Sequence, residues 1–244
     1  MKKLLLLFVV ATSLSAFCQD SVLLRANYNE GDEFLIDLEQ SQNMGAAGGM
    51  DMKIKMNMSI IKKEGDSFTA ASKISTIKMN MLQGGRIMDF DSTKKEEDLD
   101  ETGKMFKQQF DPMLKALITT KMTNRGEATD IKVEPMAPGM EEFLKQSSSI
   151  KYPEEKVSVG SSWSTELNQQ GMKIVTKYTV SKIIEGKVYL DVTGDVSGMG
   201  AGKVTGAIVI DATTGVQDTA NTEVKVSANG AEVIITAKVK TTKI

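Results

Sequence analysis

The sequence predicts a mainly β (α+β) fold: a strongly curved or two-layered antiparallel sheet, or half-barrel, built from two related halves and carrying a small helical insertion. Three observations lead there. Met50, Met52, Ile54, Met56, Met58 and Ile60 alternate with Asp51, Lys53, Lys55, Asn57 and Ser59, a period of two that gives a strand one apolar and one wet face. From Trp163 to the C-terminus, strand-like runs and turn residues succeed one another with no helical period between them. A glycine turn followed three residues later by a large aromatic, and then by alternation, occurs twice, in Gly31-Asp32-Glu33-Phe34 and Gly160-Ser161-Ser162-Trp163.

Residues 1–18 read as an export signal. Lys2 and Lys3 form a basic start, Leu4 to Ala11 an apolar run, and Ala16-Phe17-Cys18 a small-x-small cleavage site. Cys18 is the only cysteine in the 244 residues. Cleavage after it is favoured over lipid attachment to it, because Phe17 is bulky where lipidation wants a small residue. The mature chain, 19–244, is then a single periplasmic or extracellular β-rich domain, with repeat-like halves at 22–91 and 157–244 and a helical and hairpin insertion at 92–156. No transmembrane segment is expected, since no later stretch approaches about 18 continuous apolar residues.

Val22, Leu24, Ala26 and Tyr28 alternate and predict a first strand, ended by Asn29-Glu30-Gly31-Asp32. Phe34, Ile36 and Leu38 carry the next, and the Gly-rich stretch Met44 to Gly49 leads into the long alternating strand. Glu64-Gly65-Asp66 turns the chain, and Phe68, Ala70, Ser72 and Ile74 return it. The phase then slips to Ile77, Met79 and Met81, which predicts a bulge near Thr76. Gln83-Gly84-Gly85 turns into a short strand at 86–91.

From Ser92 the character changes. Glu96, Glu97, Asp98, Asp100 and Glu101 form a solvated acidic connection, after which Phe106, Phe110, Met113, Leu114 and Leu117 recur at helical spacing. Asp111-Pro112 interrupts them as a cap-like residue followed by proline, predicting two short helices or one kinked one. Residues 117–133 form a hairpin about Asn124-Arg125-Gly126, and a small helix is expected around Gly139 to Gln146, with Met140, Phe143 and Leu144 inward. The second half then runs as strands at 163–167, 174–184, 187–196, 204–211, 217–228 and 231–241, with Asn229-Gly230 as a hairpin turn. The two halves align in pieces. Gly31 and Gly160 differ by 129, Met52-Lys53-Ile54 and Met172-Lys173-Ile174 by 120, Glu64-Gly65 and Glu185-Gly186 by 121, and Asp91 and Asp211 by 120.

Chemistry is bounded mainly by what is missing. With no histidine and no cysteine after residue 18, Ser-His-Asp and Cys-His catalysis and the usual zinc sites are unavailable. No enzyme activity and no cofactor is expected. Without Lys2 and Lys3, 28 basic side chains face 32 acidic ones, a net of −4, which makes no electrostatic case for nucleic acid. Met50-Asp51-Met52, Met56-Asn57-Met58 and Met79-Asn80-Met81 each project two thioethers to one side of a strand. Such pairs suit Cu(I), but packing of an irregular apolar face is the plainer reading. Trp163, the one tryptophan, reads as a core anchor before a binding platform. Asp89-Phe90-Asp91-Ser92-Thr93 lacks the glycine of a Ca²⁺ loop, with Lys94 in its place, and the glycines from Gly198 to Gly202 precede a strand, so they cradle no phosphate.

The exported start, Gly31-Asp32-Glu33-Phe34, Val159-Gly160-Ser161-Ser162-Trp163, and Gly206-x-Ile208-x-Ile210-Asp211-x-x-Thr214-Gly215 together resemble a secreted family of unknown function common in Bacteroidota. Ser161 stands where that pattern has an acidic residue, a place Asp32 keeps in the first half. The resemblance implies a compartment and an architecture, and no functional residues. More distantly, a curved antiparallel sheet with inserted helices is similar to the half-barrels of envelope lipoprotein carriers, by analogy of fold alone. The expectation is therefore a non-enzymatic envelope protein that binds or carries an apolar small molecule or lipid. Met50, Met52, Met56, Met58, Met79, Met81, Phe106, Phe110 and Trp163 are the candidate lining. The alternative is a structural or protein-interaction module of the envelope with a filled core and a protein partner; Cu(I) binding through the Met-x-Met pairs ranks third.

Overall fold

The computed structural model describes residues 21–136, 150–169, 171–228 and 231–244. The expected signal at 1–18 with Cys18, the helix around Gly139 to Gln146 and the Asn229-Gly230 turn lie outside these residues.

The alternating runs form one large antiparallel sheet. Its strands are β1 (Glu33–Asn43), β2 (Gly48–Glu64), β3 (Ser67–Gln83), β4 (Arg86–Asp91), β5 (Leu117–Thr123), β6 (Ala128–Glu134), β7 (Ser162–Gln169), β8 (Met172–Ile184), β9 (Lys187–Gly198), β10 (Ala201–Asp211), β11 (Gln217–Ala228) and β12 (Ala231–Lys243). Among the described residues one α-helix, α1 (Glu101–Lys115), interrupts them. The sheet is open, in the order β6-β5-β3-β2-β1-β12-β11-β10-β9-β8-β7, with β4 off this path on β3. Of the two expected alternatives, a single curved sheet is what forms.

Two local expectations are corrected. Residues 22–28 form no strand; they are held by a single bridge, Val22 to Val157, and by bonds to loops such as Ala26 N–H to Asn124 C=O at 2.7 Å. Leu24 and Ala26 are buried, so their alternation reports burial without a ladder. The described part of the middle segment holds one α-helix, which begins at Glu101, well before Phe106, because Asp100 caps it: its carboxylate accepts the Gly103 N–H at 2.7 Å. Pro112 sits in the last turns, where the helix ends soon after.

The strand ladder uses the same register twice. Ile60 pairs with Ala70 and Val180 with Leu190; Phe34 pairs with Met58 and Trp163 with Tyr178. The offsets are 129 for β1 against β7 and 120 for β2 against β8; β3 against β9 keeps 120 as far as Ile74 and drops to 119 beyond the extra bulge at Lys55/Met56. Both hairpins carry a bulge at equivalent places, Ile60/Lys62 and Val180/Lys182. Both entry turns are built alike: Gly31 and Gly160 share φ +89°, and their N–H groups donate to Ile60 and Val180 at 2.8 Å. The β5–β6 and β10–β11 hairpins also agree in register, with bulges at Lys121/Met122 and Val209/Ile210. In that scheme Asp211 stands opposite Thr123, whereas Asp91, its match by sequence spacing, lies on β4.

Candidate functional site

Residues opposite one another in an antiparallel ladder share a face, so the register traces one apolar surface across the sheet. It runs from Met81–Met50, Met79–Met52 and Ile77–Ile54 through Leu38, Val239, Ala220 and Val224. It continues through Val204, Gly194 and Thr176, and ends with Tyr178–Trp163. The predicted slip near Thr76 is present as a bulge, where Lys55 pairs with Thr76 and Met56 with Ile74. That bulge keeps Ile74 and Ile77 on the same buried side.

Under the first half this surface is roofed. Helix α1 packs on β3 and β4, and its Phe106, Phe110, Met113 and Leu114 meet Ile54, Ile74, Ile77, Met79 and Phe90. Phe110 stacks on Phe90 with ring centroids 5.4 Å apart. Met50, Met52 and Met56 join this cluster half-buried. Met58 belongs to a neighbouring cluster with Phe34, Ile60 and Phe68. Met81 is half-buried opposite Met50. The Met and Phe candidates are thus largely brought together.

Trp163 is not among them. It lies on the end strand β7, stacked on Tyr178 at 5.5 Å, in the separate cluster of Leu190, Val192, Val196 and Val204. Its indole N–H is buried and has no hydrogen-bond partner among the described residues. There strands of the sheet close on one another, and Leu24, Ile150, Tyr152 and Val157 from connecting segments complete the cover. A Cβ at Gly194 would overlap the Val175 carbonyl oxygen, and one at Gly206 the Asn221 carbonyl oxygen. Only glycine lets the neighbouring strands come this close on that face.

Between these two covered parts lie residues that sequence reasoning left out of the candidate lining. Val224 and Val226 of β11, at the margin of the second-half cluster, Val233 and Ile235 of β12, and Gln40 and Gln42 of β1 point to the same face and are all half-exposed. Their alternation marks them as strand residues, but nothing in it distinguishes a covered from an uncovered stretch.

Other clefts mix charged and apolar lining. One of about 510 Å³ is lined by Asp37, Glu39, Lys53, Lys55, Lys238 and Lys240 together with Leu38, Ile54 and Val239, and there Lys53 pairs with Glu39 at 2.8 Å. Another, of about 200 Å³, lies between Asn27–Asp32 and the Asp211 turn. Partial burial works to raise the Asp211 pKa, but hydrogen bonds from Lys187, Thr214 and Thr213 outweigh it and hold the carboxyl at about 2. Lys187 is pushed up to about 12 by its bonds to Asp211 and Asp218. On β4, partial burial of Asp91 is likewise outweighed by Lys78 and Thr93, again giving about 2. These carboxylates pin turns: Asp91 accepts from Thr93, and Asp211 from Thr213 and Thr214.

Residues 137–231 match the model of a family described as a family of unknown function (DUF6263), a stretch that contains β7 to β11 and the first residue of β12. No match is found among curated proteins. Among solved structures, the chain is similar to one described as "Lipid-protein interactions in lipovitellin", with a TM-score of 0.57 and 12% identity. The likeness covers 89% of this chain and 25% of the other. It is a likeness of fold, and this chain spans about a quarter of that one's length. No helix among the described residues is long and apolar enough to cross a membrane.

Proposed function

We propose that this is an exported, non-enzymatic protein that binds or carries an apolar ligand, a lipid or an acyl chain. The observation that carries the reading is the half-exposed strip of Val224, Val226, Val233 and Ile235 on β11 and β12, separated by Gln40 and Gln42 of β1 from the half-buried methionines of β2 beside α1. Burying apolar area against a ligand gains about 25 cal/mol per Å², and these valine, isoleucine and methionine side chains offer that gain over several strands. Thioether side chains suit such a wall, being flexible enough to repack around chains of different shape. The fold shared with lipovitellin, whose structure is described in terms of lipid–protein interactions, supports the same reading by analogy.

Native mass spectrometry of gently purified protein, with uptake of a fluorescent fatty acid by the stripped protein, tests it. Bound species of lipid mass and saturable uptake are expected. A protein that carries nothing and takes up nothing overturns the proposal.

A further inference from the structure

The two ends of the sheet are finished differently. β6 carries Asp130, Lys132 and Glu134 in alternation and is followed at once by Pro135, the charges and proline that blunt an open edge. β7 has no proline, no lysine, no arginine and a single charge, Glu166. Among the described residues it pairs with β8 alone.

The register says what β7's open side can do. Its counterpart β1 uses the equivalent side to pair from Phe34 to Asn43 with β12, and Glu33 C=O accepts the Ile244 N–H at 3.0 Å there. On β7, Ser161 C=O accepts from Val180 of β8. Peptide groups point alternately to the two sides of a strand. Those of Ser162, Ser164, Glu166 and Asn168 therefore face outward, as those of Glu33, Leu35, Asp37 and Glu39 face β12.

We infer that β7 is a dimerisation edge, pairing antiparallel with β7 of a second copy about a two-fold axis at Thr165. Opposed residues must share a face, so only a few symmetric registers exist. Centring on Glu166 opposes two like charges. Centring on Thr165 sets Glu166 opposite Ser164 of the second copy, and Trp163 opposite its Leu167. That register gives every outward peptide group from Ser162 to Asn168 a partner. It also continues the apolar face through the half-buried Trp163 and Leu167. The pairing is isologous and closes on itself, so it ends at two copies.

Sedimentation and hydrogen exchange of the purified protein test this between low-micromolar and near-millimolar concentration. A reversible dimer is expected, with the amides of Ser162, Ser164, Glu166 and Asn168 exchanging about tenfold or more slower as it forms, and those of β6 unchanged. Ser164→Pro removes an outward N–H without touching the β8 ladder and is expected to be monomeric, with β8 and β9 protection intact. With Cys18 replaced by serine, Thr165→Cys is expected to cross-link on mild oxidation, since residues opposed in a pair that exchanges no hydrogen bonds sit about 4.5 Å apart at Cα; Ser164→Cys is not. A monomer at every concentration overturns the proposal, including one whose β7 captures a strand from another protein. So does a dimer in which Ser162–Asn168 exchange is unaffected.

Discussion

The two halves of the ladder share a register and differ in what lies on it. At equivalent positions on the inner face the first half has Ile74 and Ile118 where the second has Gly194 and Gly206. Both isoleucines are buried, at 1% and 2% exposure, under a separate cover in which α1 supplies four side chains. The glycines instead let neighbouring strands approach closely, and valines and leucines of the sheet are buried there together with Leu24, Ile150, Tyr152 and Val157 from segments outside it. One backbone pattern thus supports two solutions to the same problem, burial under an added helix and burial by close strand approach with cover from connecting segments. The half-exposed strip lies where the first solution has run out and the second has not begun.

The sharpest way to break this comparison is to exchange its residues. Gly194→Ile places in the second half what the first accommodates. With a neighbouring carbonyl in the way, it should cost more than about 3 kcal/mol in urea unfolding, whereas Ile74→Val should cost only about 1 kcal/mol. Removing the added layer comes next. Phe110→Ala should cost about 2 kcal/mol, less than full burial would give, because Phe110 is only partly buried. It should also speed amide exchange in α1 while leaving β8 to β10 unchanged.

The turns are expected to respond alike. The folded pKa values of Asp91 and Asp211 are depressed, so their stabilisation is present above the ordinary carboxylate range and is lost as pH falls from about 4 through about 2. Acid titration of stability for Asp211→Asn and Asp91→Asn should each show about 1–2 kcal/mol less of that loss than wild type. The smallest effect should be Met52→Leu, under about 1.5 kcal/mol. It should nonetheless change ligand uptake if the wall needs thioether flexibility, a difference that fluorescent fatty-acid titration would resolve.

Most of the ladder was legible because one wet face forces strict alternation. Even the bulge at Thr76 showed itself as a phase slip between Ile74 and Ile77. The start of α1 was hidden because its first turn is polar and capped by Asp100, and apolar spacing begins a turn later. Residues 22–28 show the opposite failure, since alternation there arises from packing against the sheet with no partner strand. Of the candidate lining, Met50 to Met58 were readable as one face. That Trp163 lies far along the ladder from them depends on strand order, which local spacing does not encode. Gly194 and Gly206 were unreadable for a related reason: a residue without a side chain leaves no mark in a hydrophobic period, though it sets how closely neighbouring strands approach.

β3 has a further consequence. Its first residues hydrogen-bond β5 and its last bond β4, so the ladder forks along a single strand. Everything from Arg86 to Lys115 hangs from that fork as a side branch whose removal would interrupt none of the eleven strands in sequence along the path. Insertion at the tip of the branch therefore leaves the ladder of the trunk in register, whereas fraying of α1 uncovers Ile54, Ile74 and Ile77 beneath it.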